Sequence, residues 1–400
     1  MVGCLVLFNL PTEQPFSLHT AGLFGRDFVE FYCAAEELVA GRTPYYTWRY
    51  NKPPTVAYAT IPLTALSMPH AAYVFFIAQL GAVVAACWLA LTAFFAPAKA
   101  TRLELAILVG ALVTLSYPAH FLLDRGNLDG FVTLFIAASA PLAMRMTAGN
   151  ALPGMAGGFL LACGVLTKLY PLVLAGPLMI ARRWWALAGA TITCIVVVAA
   201  THEAWLEFVR GIAWGRFGFV GGPAAENASL ASTLEFLIHP FASNRAPTRG
   251  AALASYAVYG SSFAACVVMD ARDRSRLDER ASLLRLYLYM PFLIAMPKLS
   301  FHYSLVLLLP LGFALLWARL EARSSRTRRV VDAMLAGVLL SQFPSPAFQQ
   351  VWNVPAAARI PGLGLLIVLL GALAYRAAGP DGRSGSPSAP GRAPGGGRGA

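Results

Sequence analysis

The chain has 400 residues, 58% of them apolar and only 12% charged, with a formal charge of +12. A soluble domain carries about 25% charged residues, so this composition, with a mean hydropathy of +0.61, excludes a string of soluble domains. It also removes nucleic acid as the reading of the positive charge, because Lys and Arg in a membrane protein set its orientation. The six cysteines form no Cys-x-x-Cys pair, and five of them sit in apolar stretches as small hydrophobes. Neither a zinc site nor a disulfide framework is expected.

Residues 1–10, MVGCLVLFNL, supply about half of the ~20 apolar residues that a span needs. No basic segment or small-residue cleavage site accompanies them, so they read as a clipped first transmembrane helix. An outer loop over residues 11–70 follows. Within it, RDFVEFYCAAEELVAG places Phe28, Phe31, Tyr32, Ala35, Leu38 and Val39 on one helical face, with Glu30, Glu36 and Glu37 off the stripe. This predicts an amphipathic helix lying on the outer membrane surface, with Gly41 placed to end it. Asp27 at its start has two readings. It is either an N-cap, worth about 1 kcal/mol, or a general base held at the helix entrance beside Arg26. PYYTWRYNKPP is then an aromatic, proline-rich turn suited to headgroup depth. Residues 55–67 are apolar but too short to span, which fits a second interfacial or re-entrant helix.

Further spans are expected near 71–95, 105–121, 130–145, 154–168, 170–181, 185–201, 251–269, 283–298, 303–319, 330–343 and 361–375. The fold class is therefore all-α, a polytopic transmembrane bundle over 71–375 of about 11–12 spans. The pair around Lys168–Pro171 is short and Pro-broken, as two half-length helices would be. Alternating the spans puts 19 of the 31 basic residues on one side, which marks that side as cytoplasmic. The outer face receives the long loops 11–70 and 202–250. Residues 376–400 are Gly/Pro/Ser-rich and read as a disordered cytoplasmic tail.

The same alternation places all six histidines and Lys52, Lys168 and Lys298 at the outer face. Pumps and channels carry ionisable residues at mid-membrane depth; here they gather at one boundary, as chemistry at the outer surface requires. The plainer reading is that longer outer loops collect polar residues.

Several segments carry a resemblance. DFVEFYCAAEELVAGRTPYY, NKPPTVAYATIPLTALSMP, LLDRGNLDGF, GVLTKLYPLVL with RRWWALAG, ENASLAS and MPKLSFHYSLVLLLPL together resemble glycosyltransferase family 87, polytopic GT-C-class enzymes that use polyprenyl-phosphate sugars. The similarity runs in order from about residue 24 to residue 320. Asp124-Arg125 stands where an apolar pair is commoner, and Lys52 where Tyr often precedes Pro-Pro; both departures bear on the donor sugar.

The resemblance implies transfer of a hexose, mannose being the expected one, from a polyprenyl-phosphate donor to a lipid or glycan acceptor at the extracytoplasmic face of the plasma membrane. Asp27 becomes the catalytic base of an inverting single displacement. A phosphate leaving group departs without a general acid, so one carboxylate suffices. Lys298, His302, Arg125 and Lys168 are the expected ligands of the donor phosphate, against their reading as snorkelling anchors. Asn127, Asn227, Tyr32 and Tyr45 are the expected sugar or acceptor contacts. Asp129 reads rather as the cap of the helix beginning near Gly130, and Asn227 also sits in a glycosylation sequon. No Asp-x-Asp pair occurs in an outer loop, so neither metal nor cofactor is expected. A transporter or flippase for a lipid-linked or small polar substrate is the alternative, although convincing internal repeats are missing; a membrane scaffold is a third.

Overall fold

The computed structural model describes residues 25–46, 50–95, 102–145, 151–213, 229–239, 248–295, 302–343 and 360–378. The expected clipped helix over 1–10, Lys298, Asn227 and the tail beyond 378 lie outside these residues, as do the side chains of Arg26 and His302.

The secondary structure among the described residues is helical, in chain order α1 Arg26–Val39, α2 Pro54–Thr60, α3 Met68–Phe94, α4 Arg102–Leu115, α5 Tyr117–Arg125, α6 Asp129–Met144, α7 Ala151–Thr167, α8 Ala175–Ile180, α9 Trp184–Ala200, α10 His202–Ala213, α11 Leu230–Ile238, α12 Arg249–Asp273, α13 Glu279–Tyr287, α14 Met290–Ile294, α15 Leu308–Glu321, α16 Ser325–Ser341 and α17 Ile360–Ala378. Short 3-10 turns at Pro44–Tyr46, Ile61–Ala65, Tyr170–Leu174, Arg274–Arg276 and His302–Leu307 join some of them.

Where about a dozen spans are expected, four helices among the described residues are both long and apolar enough to cross a bilayer: α3, α12, Ser304–Glu321 and α17. Counting the bent pairs α4–α5 and α9–α10 as single spans makes six. The shortfall is one of length. α6 and α7 have 16 and 17 residues, which rise about 25 Å against a hydrocarbon layer of about 30 Å. The segment 170–181 is a 3-10 turn followed by the six residues of α8, as its Pro-broken sequence predicts. Residues 283–298 are divided too: α13 ends at Tyr287, and Pro291 lies in the first turn of α14.

The main core is built from α3, α6, α13, α14, α15 and α17, around residues such as Phe94, Ile136, Tyr287, Phe292, Leu308 and Val368. α7 and α9 approach backbone to backbone, since a Cβ on Gly158 would sit 2.0 Å from the Ala186 carbonyl oxygen. Small residues allow such packing between apolar helices, where dispersion replaces hydrophobic drive.

A second, smaller core fastens α1 and the segments that follow it to the bundle. It joins Phe28, Phe31 and Tyr32 of α1 to Phe75 of α3, Leu128, Leu166, and Trp205 and Phe208 of α10. The ring centroids of Phe28 and Phe75 are 4.7 Å apart. The apolar stripe of α1 therefore meets protein rather than lipid along Phe28, Phe31, Tyr32 and Ala35, all buried. The 97° bend between α9 and α10 makes this possible by folding Trp205 and Phe208 back over the loop. α1 ends as the sequence predicts: the Gly41 amide donates to Leu38 and that of Arg42 to Glu37, with Gly41 at φ 73°, a Schellman closure.

Two glycines with left-handed backbone set where α1 begins. Gly25 has φ 106° and Gly126 has φ 64°, and the Gly25 amide donates to the Asp124 carbonyl at 3.0 Å. A Cβ on Gly126 would lie 2.9 Å from both the Gly25 Cα and the Phe28 Cβ. Gly126→Ala is expected to lower stability by about 2 kcal/mol, through left-handed strain and this clash. Thermal unfolding of the purified protein checks this; an unchanged midpoint would remove the contact from the account.

Candidate active site

The glycine contact delivers Asp27 against the end of α5. Asp27 occupies the first turn of α1, but the cap of that helix is Gly25 and no side chain caps it. The carboxylate turns inward instead. It is 6% exposed, accepts a hydrogen bond from Asn127 Nδ2 at 2.5 Å, and pairs with Arg125 Nη2 at 3.3 Å. The N-cap reading of Asp27 is thus replaced by a buried, charge-paired carboxylate.

Asn127 passes the connection on. Its Oδ1 accepts from Lys168 Nζ at 2.7 Å, and Lys168 Nζ lies 2.5 Å from Asp129 Oδ1. Asp129 is fully buried and also accepts from the Tyr170 hydroxyl at 2.9 Å and the Ser304 hydroxyl at 2.6 Å. The expectation that Asp129 caps α6 is therefore corrected. The capping position belongs to Leu128, and no side chain caps that helix. Packing of α6 against the loop after α7 draws the carboxylate to Lys168, and an isolated buried carboxylate would not stay ionised without such a partner.

One network thus runs from Arg125 through Asp27, Asn127 and Lys168 to Asp129, assembled from α1, the α5–α6 turn, the α7 exit and the His302–Leu307 turn. Lys52 is within electrostatic range of Lys168, and its Nζ donates to Asn51 Oδ1 at 2.7 Å. The His302–Leu307 turn is braced from behind. Gln342 Nε2 donates to the Leu305 carbonyl, while its Oε1 accepts from Ser116.

Of the site residues expected from sequence, Asp27, Arg125, Asn127 and Lys168 come together. Tyr32 and Tyr45 have other tasks. The Tyr32 hydroxyl donates to the Leu66 carbonyl at 2.8 Å, and that of Tyr45 to the Lys52 carbonyl at 2.8 Å. Both rings belong to the small outer core, so these tyrosines shape the loop that carries the site. His302 opens the turn that bears Ser304. Asp129, Tyr170 and Ser304 are the members missing from the sequence-based set. GNLDG, KLYP and FHYS carried them, but nothing in one strand of text pairs Asp129 with a residue 175 positions away. Among the described residues, no group of three or more His, Cys, Asp or Glu is placed to hold a metal ion.

Removing one partner of a buried ion pair costs about 3 kcal/mol or more, because the remaining charge is left uncompensated. Lys168→Met should accordingly lower the thermal midpoint sharply, and adding Asp129→Asn should recover most of the loss. Two additive losses in thermal unfolding would argue that the two side chains are not coupled.

Comparison with known proteins bears on the family of the chain. The profile of glycosyltransferase family 87 matches residues 50–297, a stretch that contains Arg125, Asn127, Asp129 and Lys168 and begins after Asp27. No curated protein matches the chain. Among solved structures, ArnT from Cupriavidus metallidurans bound to undecaprenyl phosphate is similar, with 13% identity, a TM-score of 0.44, and coverage of 94% of this chain and 76% of that one. The family match spans more than half of the sequence, and the chain belongs to glycosyltransferase family 87, as a membrane glycosyltransferase.

Proposed function

We propose that the protein transfers a hexose, mannose in the first instance, from a polyprenyl-phosphate donor to a hydroxyl of a lipid or glycan acceptor. The observation that carries this reading is the Asp27 carboxylate, buried at the head of the first outer helix and oriented by Asn127 and Arg125. A carboxylate offers about four lone-pair sites, so these two donors leave capacity for an incoming hydroxyl.

The acceptor hydroxyl gives its proton to Asp27 as its oxygen bonds to the anomeric carbon. The bond from that carbon to the phosphate oxygen breaks, and the departing polyprenyl phosphate keeps the electron pair. A single displacement of this kind inverts the anomeric centre. Arg125 and Lys168, with Lys298 and His302 from the segment after α14, meet the phosphate. Their charge stabilises the negative charge that grows on it, and preorganised cations do this without reorganisation cost. Asn127 holds Asp27 and also reaches the sugar, and Asn227 is an acceptor contact in the loop after α10.

No metal enters this scheme. Asp129 is saturated by Lys168, Tyr170 and Ser304, and Asp27 already has a guanidinium beside it, so neither carboxylate needs a divalent ion. The positive bias read from the sequence for the opposite side supports a site on the extracytoplasmic face of the plasma membrane. The family assignment speaks for transfer over the transport alternative.

Asp27→Asn keeps the shape of the side chain and removes the base. It should lower transfer from radiolabelled polyprenyl-phosphate mannose by about a hundredfold to ten-thousandfold, with normal membrane insertion and a lowered unfolding midpoint, because Arg125 loses its partner. Retained transfer would remove Asp27 from the role, and wild-type inactivity with every polyprenyl-phosphate sugar would remove the donor class. In the same assay a divalent-metal chelator should leave the rate unaltered; a large drop would contradict metal independence.

A further inference from the structure

A second buried charge cluster lies at the far end of the bundle. α6 starts at the site with Asp129 and ends at Met144, about 22 Å away along its axis. Near that end Asp270 of α12 accepts from Arg285 Nη1 at 2.8 Å, from Arg376 Nε at 2.9 Å and from the Tyr289 hydroxyl at 2.8 Å. Asp273 accepts from Arg285 Nη2 at 2.9 Å. Two carboxylates and two guanidiniums cancel, and together they tie α12, α13 and α17.

Beside this neutral cluster opens a pocket with an apolar wall of Met144, Pro177, Leu277 and Leu286, and with Ser282 and Arg274 among its polar lining. Two further arginines stand in the neighbouring segments, Arg274 in the lining and Arg183 in the turn after α8. Arg274 is exposed, and its guanidinium reaches the Ile180 carbonyl only at 3.5 Å. Arg183, two residues beyond the lining residue Ala181, is within electrostatic range of Glu279 at the start of α13. No described residue accepts from its buried Nε. Trp184 and Trp185 follow, each 58% exposed, and exposed indoles at a helix end mark the bilayer–water interface.

A basic edge, an apolar wall and an aromatic marker at one depth are complementary to an amphiphile with an anionic head. Basic pockets between spans hold such head groups. We propose that this pocket seats the phosphodiester head group of an anionic phospholipid, with the phosphate at Arg183 and Arg274 and an acyl chain along the apolar wall. The lipid would bridge α8, α12 and α13 at the end of the bundle opposite Asp27. This reading is independent of the reaction proposed for Asp27.

Native mass spectrometry of the full chain, released from nanodiscs of phosphatidylcholine and phosphatidylglycerol in equal parts, tests it. Wild type is expected to retain phosphatidylglycerol in preference to phosphatidylcholine. Arg183→Gln combined with Arg274→Gln should weaken that retention about tenfold, the loss of one or two charge-assisted hydrogen bonds. Ser282→Glu puts a carboxylate in the pocket without touching either arginine and should do the same, which covers the case of a double variant that does not fold. Equal retention of the two lipids by wild type, or undiminished phosphatidylglycerol on the variants that fold, would overturn the proposal. If inorganic phosphate raises the thermal midpoint in detergent and phosphatidylglycerol adds nothing, a soluble anion is the ligand and the lipid assignment is overturned.

Discussion

Burying a carboxylate without a partner costs more than a domain can spare, and this constraint organises the end of the molecule that carries Asp27 and Asp129. Asp129 is fully enclosed, so Lys168 has to meet it. Lys168 in turn fixes Asn127, and Asn127 fixes Asp27. Three segments far apart in sequence thereby become one connected group. The glycine contact of Gly25 with Gly126 is what lets the backbones come close enough for the last link. The network is costly for stability alone, since well-packed apolar residues often serve as well. Its position at the head of α1, in a membrane glycosyltransferase, suits the proposed role of orienting a base and keeping cations close to a phosphate.

Much of this was legible in the sequence, and the divisions are physical ones. Hydropathy sufficed for an all-helical membrane protein, because only helices or closed barrels satisfy backbone groups in lipid. The number of full-length spans was not legible to the same degree. Apolar runs around 130–145 and 154–168 look like spans, but the helices they form are about one turn short of the usual ~20 residues. The face of α1 was readable from its spacing, whereas what covers it was not. Trp205 and Phe208 reach it only through the sharp turn after α9.

The same distinction applies to the site. Asp27, Arg125, Asn127 and Lys168 were visible as polar residues at one boundary in family-like motifs. The role of Asp129 was not, because its place at the start of a helix looks like a cap, and helix starts favour Asp on local grounds alone. Its partners Lys168, Tyr170 and Ser304 are supplied by tertiary packing. Tyr32 and Tyr45 show the reverse: the resemblance implies sugar or acceptor contacts, whereas the structure gives their hydroxyls carbonyl partners within the loop.

The claim on which the account rests is that Asp27 faces the reacting hydroxyl. A cryo-EM structure of the protein with a polyprenyl-phosphate sugar and an unreactive acceptor analogue tests it most directly. The account predicts the acceptor oxygen within about 3 Å of an Asp27 carboxylate oxygen, on the side of the anomeric carbon opposite the phosphate, with the phosphate among the cations of the same rim. An acceptor oxygen held by a different carboxylate, with Asp27 still enclosed by Arg125 and Asn127 alone, would contradict it.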